Sequence, residues 1–204
     1  MYVRTIYATG DPARLDEVAE VVRTEGRELL AGQPGYRGMG LFVDREVGKL
    51  LVGSWWDDEA SRQASDENLR ERRAEMMAPF AVTAAVDNWE AAVARRREDL
   101  ATGGGFRLVR LDVAPGDIDL LVTTFRETVL PRVEAMPGFK GISLLVDREH
   151  GRAAVGALYA DRAALAASRG PVAAVRGEAT ARARVTTRSL EEFDTLIATA
   201  VPHL

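Results

Sequence analysis

The side chains able to do chemistry are few, and they are mostly aromatic or cationic. Trp56 closes an apolar run that begins at Lys49, and Tyr159 closes a similar run later in the chain. A flat ring there suits a wall for an aromatic ligand, or a plain core position. Near the start, Thr5 and Tyr7 alternate with Ile6 and Ala8, so one face of an extended segment is polar. Asn68 and Arg72 are four apart and share a face if their segment is helical. Later, Arg110 and Asp112 share one parity, as do Arg182 and Arg184. Turned toward an interior, these charges must pair, as a structural Arg–Asp network or as a site for an anion or phenolate.

The absent residue types exclude more. There is no cysteine, which removes disulfides, thiol nucleophiles, iron–sulfur clusters and thiolate zinc sites. The two histidines are His150, in a turn-like Asp147–His150 stretch, and His203. A haem with a proximal histidine would have to use one of them. The expectation is no metal and no cofactor. A net charge of −4 and a pI near 5.4 give no reason to expect nucleic-acid binding. No apolar run approaches the length of a membrane span, and Met1–Gly10 reads as a strand rather than a signal peptide, so the expected location is the cytoplasm. Arginine outnumbers lysine 25 to 2, which together with abundant alanine reflects a GC-rich genome rather than a function.

The elements that must hold these residues occur twice. Residues 33–58 and 136–161 align without a gap at an offset of 103, with twelve identities in 26 positions, among them Pro34/Pro137, Gly48/Gly151 and Asp58/Asp161. A repeat of that length is a duplicated domain, not a solenoid unit. Each copy reads strand, helix, strand, strand, helix, strand. In the first, Val3–Ala8 is extended, and Asp11-Pro12 opens a helix toward Ala31. Breakers at Gly32–Gly35 end it; Tyr36–Asp44 and Lys49–Trp56 form a hairpin turned at Gly48. A helix from Asp57 or Asp58 to about Glu75 and a strand Phe80–Asn88 complete the unit. In the second copy, Phe106–Val113 is the first strand and Ile118–Ala135 the first helix, which Pro131 is expected to kink or to divide by ending its first segment. The second helix there is expected to break at Gly170-Pro171, and the last strand to span Thr180–Arg188. Residues 95–105, charged and then glycine-rich, read as a flexible linker between domains 1–94 and 106–204. The glycines precede a strand, so they are not a phosphate loop.

The string Pro34-Gly35-Tyr36-Arg37-Gly38, the hairpin and Val52-Gly53-Ser54-Trp55-Trp56-Asp57-Asp58 resemble the antibiotic-biosynthesis-monooxygenase family of the dimeric α/β-barrel superfamily. The second copy repeats the pattern around Pro137-Gly138-Phe139 and Val155-Gly156. The resemblance implies an α+β fold of two tandem ferredoxin-like (βαββαβ) domains that close an intramolecular dimeric α/β barrel, with a further homodimer left open. It implies a cofactor-independent monooxygenase acting on a small aromatic, phenolic or quinol substrate, or a non-catalytic small-molecule-binding or stress-related protein of the same fold. Haem-degrading relatives use a helix histidine and a first-strand asparagine, and Ser61–Met77 and Val3–Ala8 lack them. The expected substrate residues are Trp56, Tyr7, Thr5, Asn68 and Arg72, in the first copy. Arg110, Asp112, Arg184 and Tyr159 form the alternative site. On this reading Trp56→Ala abolishes binding, whereas Tyr159→Ala mainly lowers stability.

Overall fold

The computed structural model describes residues 1–96, 98, 103–201 and 204. The first half runs β1 (Tyr2–Gly10), α1 (Leu15–Val21), α2 (Arg27–Ala31), β2 (Tyr36–Asp44), β3 (Lys49–Trp56), α3 (Glu59–Met77) and β4 (Ala81–Arg96). The second runs β5 (Gly105–Asp112), α4 (Ile118–Thr124), α5 (Leu130–Glu134), β6 (Phe139–Asp147), β7 (Arg152–Tyr159), α6 (Arg162–Ala167), α7 (Arg169–Ala183) and β8 (Thr186–Ala198). All eight strands close one barrel in the order β1-β3-β2-β8-β5-β7-β6-β4. The expected α+β tandem of ferredoxin-like units is therefore present, and the halves pair within one chain.

The fourth strand of each half closes the barrel. β4 pairs with β1 from Thr83 to Glu90 and with β6 of the other half from Glu90, past an irregularity after Ala91, as far as Arg96↔Gly141. β8 does the same between β5 and β2. The expected strand Phe80–Asn88 is thus too short, and Arg95 and Arg96 of the expected linker are strand. Arg97 and residues 99–102 of that segment lie outside the described residues, as does His203.

The last strand of the second half also differs from expectation. Residues 180–183 finish α7, Arg184 caps it in the left-handed conformation (φ 56°), and the strand begins at Thr186. The alternation Arg182-Ala183-Arg184-Val185 looks extended, but Val175, Ala179 and Ala183 fall at intervals of four and are buried together. Gly170-Pro171 does not interrupt the helix. It lies in the first turn of α7, where a missing N–H leaves nothing unpaired, and the break comes at Ser168. Pro131 likewise sits in the first turn of α5. A wider π turn precedes it at Phe125–Val129, and Val22–Gly26 forms the same turn in the first half without any proline.

The hairpin glycines behave as expected. Gly48 and Gly151 have φ of +62° and +63°. A Cβ there would lie 2.3 and 2.4 Å from the carbonyl oxygens of Gly10 and Val113. His150 sits exposed in the second turn, against Asp147. No helix among the described residues is long and apolar enough to cross a membrane.

Candidate functional site

The strands have two faces, and each encloses its own space. Val3, Thr5 and Tyr7 of β1 point into the barrel, with Trp55 of β3, Trp89 of β4, and Phe106, Leu108 and Arg110 of β5. Phe42 and Phe106 stack across the halves, with centroids 3.8 Å apart and planes 12° apart. These rings leave a cavity of about 60 Å³. Trp89 Nε1 donates to Thr5 Oγ1 at 2.8 Å. At one mouth, the Glu191 carboxylate accepts from the Tyr7 hydroxyl at 2.7 Å, from Lys49 Nζ at 2.8 Å and from Arg110 Nη1. Burial opposes the charge on Glu191, but Lys49 and Tyr7 donate to it and Arg110 faces it, so its pKa is lowered overall. Tyr7 is pushed the other way, by burial and by donating to Glu191.

The inward parity of Thr5, Tyr7 and Arg110 follows the sequence pattern, yet Tyr7 and Arg110 belong to one cluster rather than to two alternative sites. Asp112 lies at the rim, half exposed, 3.5 Å from Arg188. The Arg–Asp network drawn from Arg182 and Arg184 does not form. Arg182 reaches Glu127 and Thr128 on the helix side, and Arg184 caps α7. Their partner's place is taken by Glu191, which strand pattern alone missed. Applying the 103-residue offset to Phe80–Asn88 gives 183–191 and would have included it.

The helix side of each sheet carries a repeated latch. Arg4 and Arg107, 103 apart, are each 2% exposed. Arg4 donates to Ser65 Oγ at 3.0 Å and to the Arg62 carbonyl. Arg107 donates to Ser168 Oγ and to the Leu165 carbonyl, both at 3.0 Å. Arg4 stands 5.9 Å from the Trp56 ring and Arg107 5.7 Å from the Tyr159 ring. Burial lowers the Arg4 pKa to about 10, with Asp66 working against it, so the guanidinium remains charged at neutral pH. Glu192 adds a bridge to Arg107 at 2.7 Å.

Trp56 and Tyr159 are both fully buried on this side, not in the barrel. Trp56 packs edge-on against Tyr36, 5.7 Å between centroids, and its Nε1 donates to Ser54 Oγ at 3.0 Å. In the second half the counterpart of Ser54 is Ala157, which offers no acceptor. The Tyr159 hydroxyl is buried without a hydrogen-bond partner. The Tyr159 side chain lines a chamber of about 70 Å³ between the sheet and α4, α5 and α7, walled by Val109, Leu121, Phe125, Val133, Val155 and Val175. The first half has a smaller space of about 50 Å³, under Leu29, Leu69 and Met76. Asn68 and Arg72 stay outside both spaces: Asn68 donates to Gln33 and Arg72 to Glu25 and Glu75, on an exposed face of α3.

Two sheets of four strands with helices outside, closed into one barrel, are the architecture that the duplicated hairpin motif implies. A sequence model described as antibiotic biosynthesis monooxygenase matches residues 1–69. The chain belongs to the antibiotic biosynthesis monooxygenase family. An uncharacterised protein of Mycobacterium tuberculosis is 33% identical over 162 residues, 78% of this chain and 71% of its own length. A crystal structure of a candidate monooxygenase from Lactobacillus acidophilus NCFM superposes with a TM-score of 0.74 at 12% identity, covering 100% of this chain and 98% of that one. An anthrone oxidase-like protein gives 0.70 at 13%, covering 97% and 90%. A haem-degrading enzyme from Listeria monocytogenes gives 0.54 at 9%, covering 95% and 99%. At such identities these structures share the fold alone.

Haem does not fit the residues present. No histidine lines either helix-side chamber. Among the described residues no three metal-ligating side chains cluster.

Proposed function

We propose that this family member is a cofactor-independent monooxygenase whose substrate, a small and mostly apolar phenol, quinol or anthrone, binds in the chamber of the second half. The observation that carries the reading is the Tyr159 hydroxyl, buried without a partner on a side chain that lines an apolar cavity. Such a group costs about 1–3 kcal/mol when left unsatisfied, and a ligand oxygen would satisfy it. This moves the expected site from Trp56, whose ring and donor are already engaged, to its counterpart.

The chemistry asks little of the protein. Oxidising a methylene of an anthrone to a carbonyl takes four electrons, all supplied by the substrate. One oxygen atom of O₂ enters the product and the other leaves as water. The substrate reacts once it becomes an anion, so the chamber must bind it, favour the phenolate and keep water out. Tyr159 would donate to the developing oxyanion, and the Arg107 charge beneath its ring would add electrostatic support. A specific feature favours a second reading, a non-catalytic binder: the chamber lining holds no carboxylate and no histidine to take the substrate's proton.

Oxygen uptake with a panel of anthrones and naphthoquinols, beside ligand-dependent thermal shifts, separates the two. The monooxygenase reading expects turnover, with Tyr159→Phe lowering kcat/KM at least about tenfold, the equivalent of one lost hydrogen bond. Thermal shifts without oxygen consumption would establish the binder instead. Neither effect in the wild-type chain would sink both.

A further inference from the structure

The first half ends its sheet on an edge that the described residues leave bare. β4 pairs with β1 in constant register from Thr83 to Glu90, but its other side meets β6 only from Glu90 onward. The Ala91 N–H donates to the Met1 carbonyl at 3.1 Å. By the alternation of an antiparallel ladder, odd-numbered residues here bond toward β1, and Ala84, Val86 and Asn88 aim their N–H and C=O groups outward. Among the described residues no backbone partner meets them.

The chemistry of this edge is that of an interface. Ala81–Val86 carries no charge and no proline, and Val82 and Val86 are 82% and 43% exposed. Edges that stay single are usually blunted by charge, proline or bulges. The equivalent stretch of β8, residues 186–190, is blunted in that way, with Arg188 and a register shift against β5 at that point. The two halves descend from one duplication, so the difference belongs to this edge and not to the fold.

We propose that β4 pairs antiparallel with β4 of a second copy of this chain, about a two-fold axis at Ala84. A two-fold antiparallel ladder can be centred on a hydrogen-bonded or a non-hydrogen-bonded pair, so the centre is chosen by the side chains it sets opposite one another. Centring on Ala84 sets Val86 opposite Val82 of the second copy, twice, and a β-branched cross-strand pair is a stabilising match. Centring on Val86 sets Val82 opposite Glu90, where β6 already occupies the edge.

Sedimentation velocity of the full chain at micromolar concentration tests this, with peptide-resolved hydrogen exchange alongside. The wild-type chain is expected at twice the mass of one chain, with slowed exchange over residues 81–88. Val86→Lys is expected at the mass of one chain, with fast exchange there and a cooperative melt at a temperature that no longer depends on protein concentration. Ala84→Pro removes only an outward N–H and is expected to do the same; should it unfold the chain, Val86→Lys decides alone. A monomeric wild type would overturn the proposal and leave the edge to a strand from another protein. A folded Val86→Lys that stays dimeric would overturn it as well.

Discussion

The guanidinium of Arg110 lies over the ring of Tyr7, 4.5 Å from its centroid, and the two residues come from different halves of the duplication. Glu191 joins them and holds Lys49 as well. The first half therefore supplies a hydroxyl and a cation, Tyr7 and Lys49, that bond a carboxylate of the second. The mouth of the barrel is held by charge as well as by strand pairing.

Removing Glu191 leaves three donors facing one another. Glu191→Ala is expected to destabilise the chain by about 2 kcal/mol in urea unfolding, below the 3–5 of a fully buried pair because the cluster is partly solvated. Arg110→Ala in the same background should add little, since its partner is already gone.

The acid limb of stability carries the same signature. The pKa of Glu191 is lowered from 4.5 in the folded chain, so its contribution is full above that value and drains away as pH falls through the lower folded value. Glu191→Gln should unfold with a shallower pH dependence in this acid range, measured by thermal melts across it. Glu192 and Asp66 are lowered too, so part of the limb remains. An unchanged acid limb would show that Glu191 is not held in its charged form.

The Arg107 latch is costly to cut. Arg107→Ala removes the donor shared by Ser168, the Leu165 carbonyl and Glu192; Ser168 still donates to that carbonyl and Arg169 still faces Glu192, so about 2–3 kcal/mol of stability is the expected loss. Arg107→Met, which keeps the stem, should lose less than Arg107→Ala. Equal losses would mean that the lost ion pair and hydrogen bonds, not packing of the stem, dominate.

Gly48→Ala places a Cβ at positive φ and against the Gly10 carbonyl. A loss of about 1–3 kcal/mol is expected, readable as a lowered urea midpoint with unchanged slope.

The repeat, both hairpins and the inward parity of Tyr7 and Arg110 were legible because a strand's side chains alternate strictly. The last strand of the second half was not. Its Arg-Ala-Arg-Val alternation competes with an i, i+4 stripe whose value depends on the sheet beneath it. The chamber under Tyr159 was not legible either. Trp56 and Tyr159 are both aromatic at the same repeat position, and only packing reveals that one donor is met by Ser54 and the other by nothing. Trp89 and Glu191 escaped for a third reason: they sit where a long strand leaves its own sheet for the other half's, and no local pattern marks that crossing.

That crossing strand has a genetic consequence. In a barrel assembled from two identical protomers, every substitution is made twice, and a ring that fills one chamber fills both. Here the halves are encoded in tandem, so each molecule receives one of each in fixed stoichiometry, and the crossings of β4 and β8 keep them together. The chain is in effect an obligate heterodimer written in a single reading frame. Its Trp56 half can keep a filled, stabilising core while its Tyr159 half stays open to change, and neither has to compromise for the other.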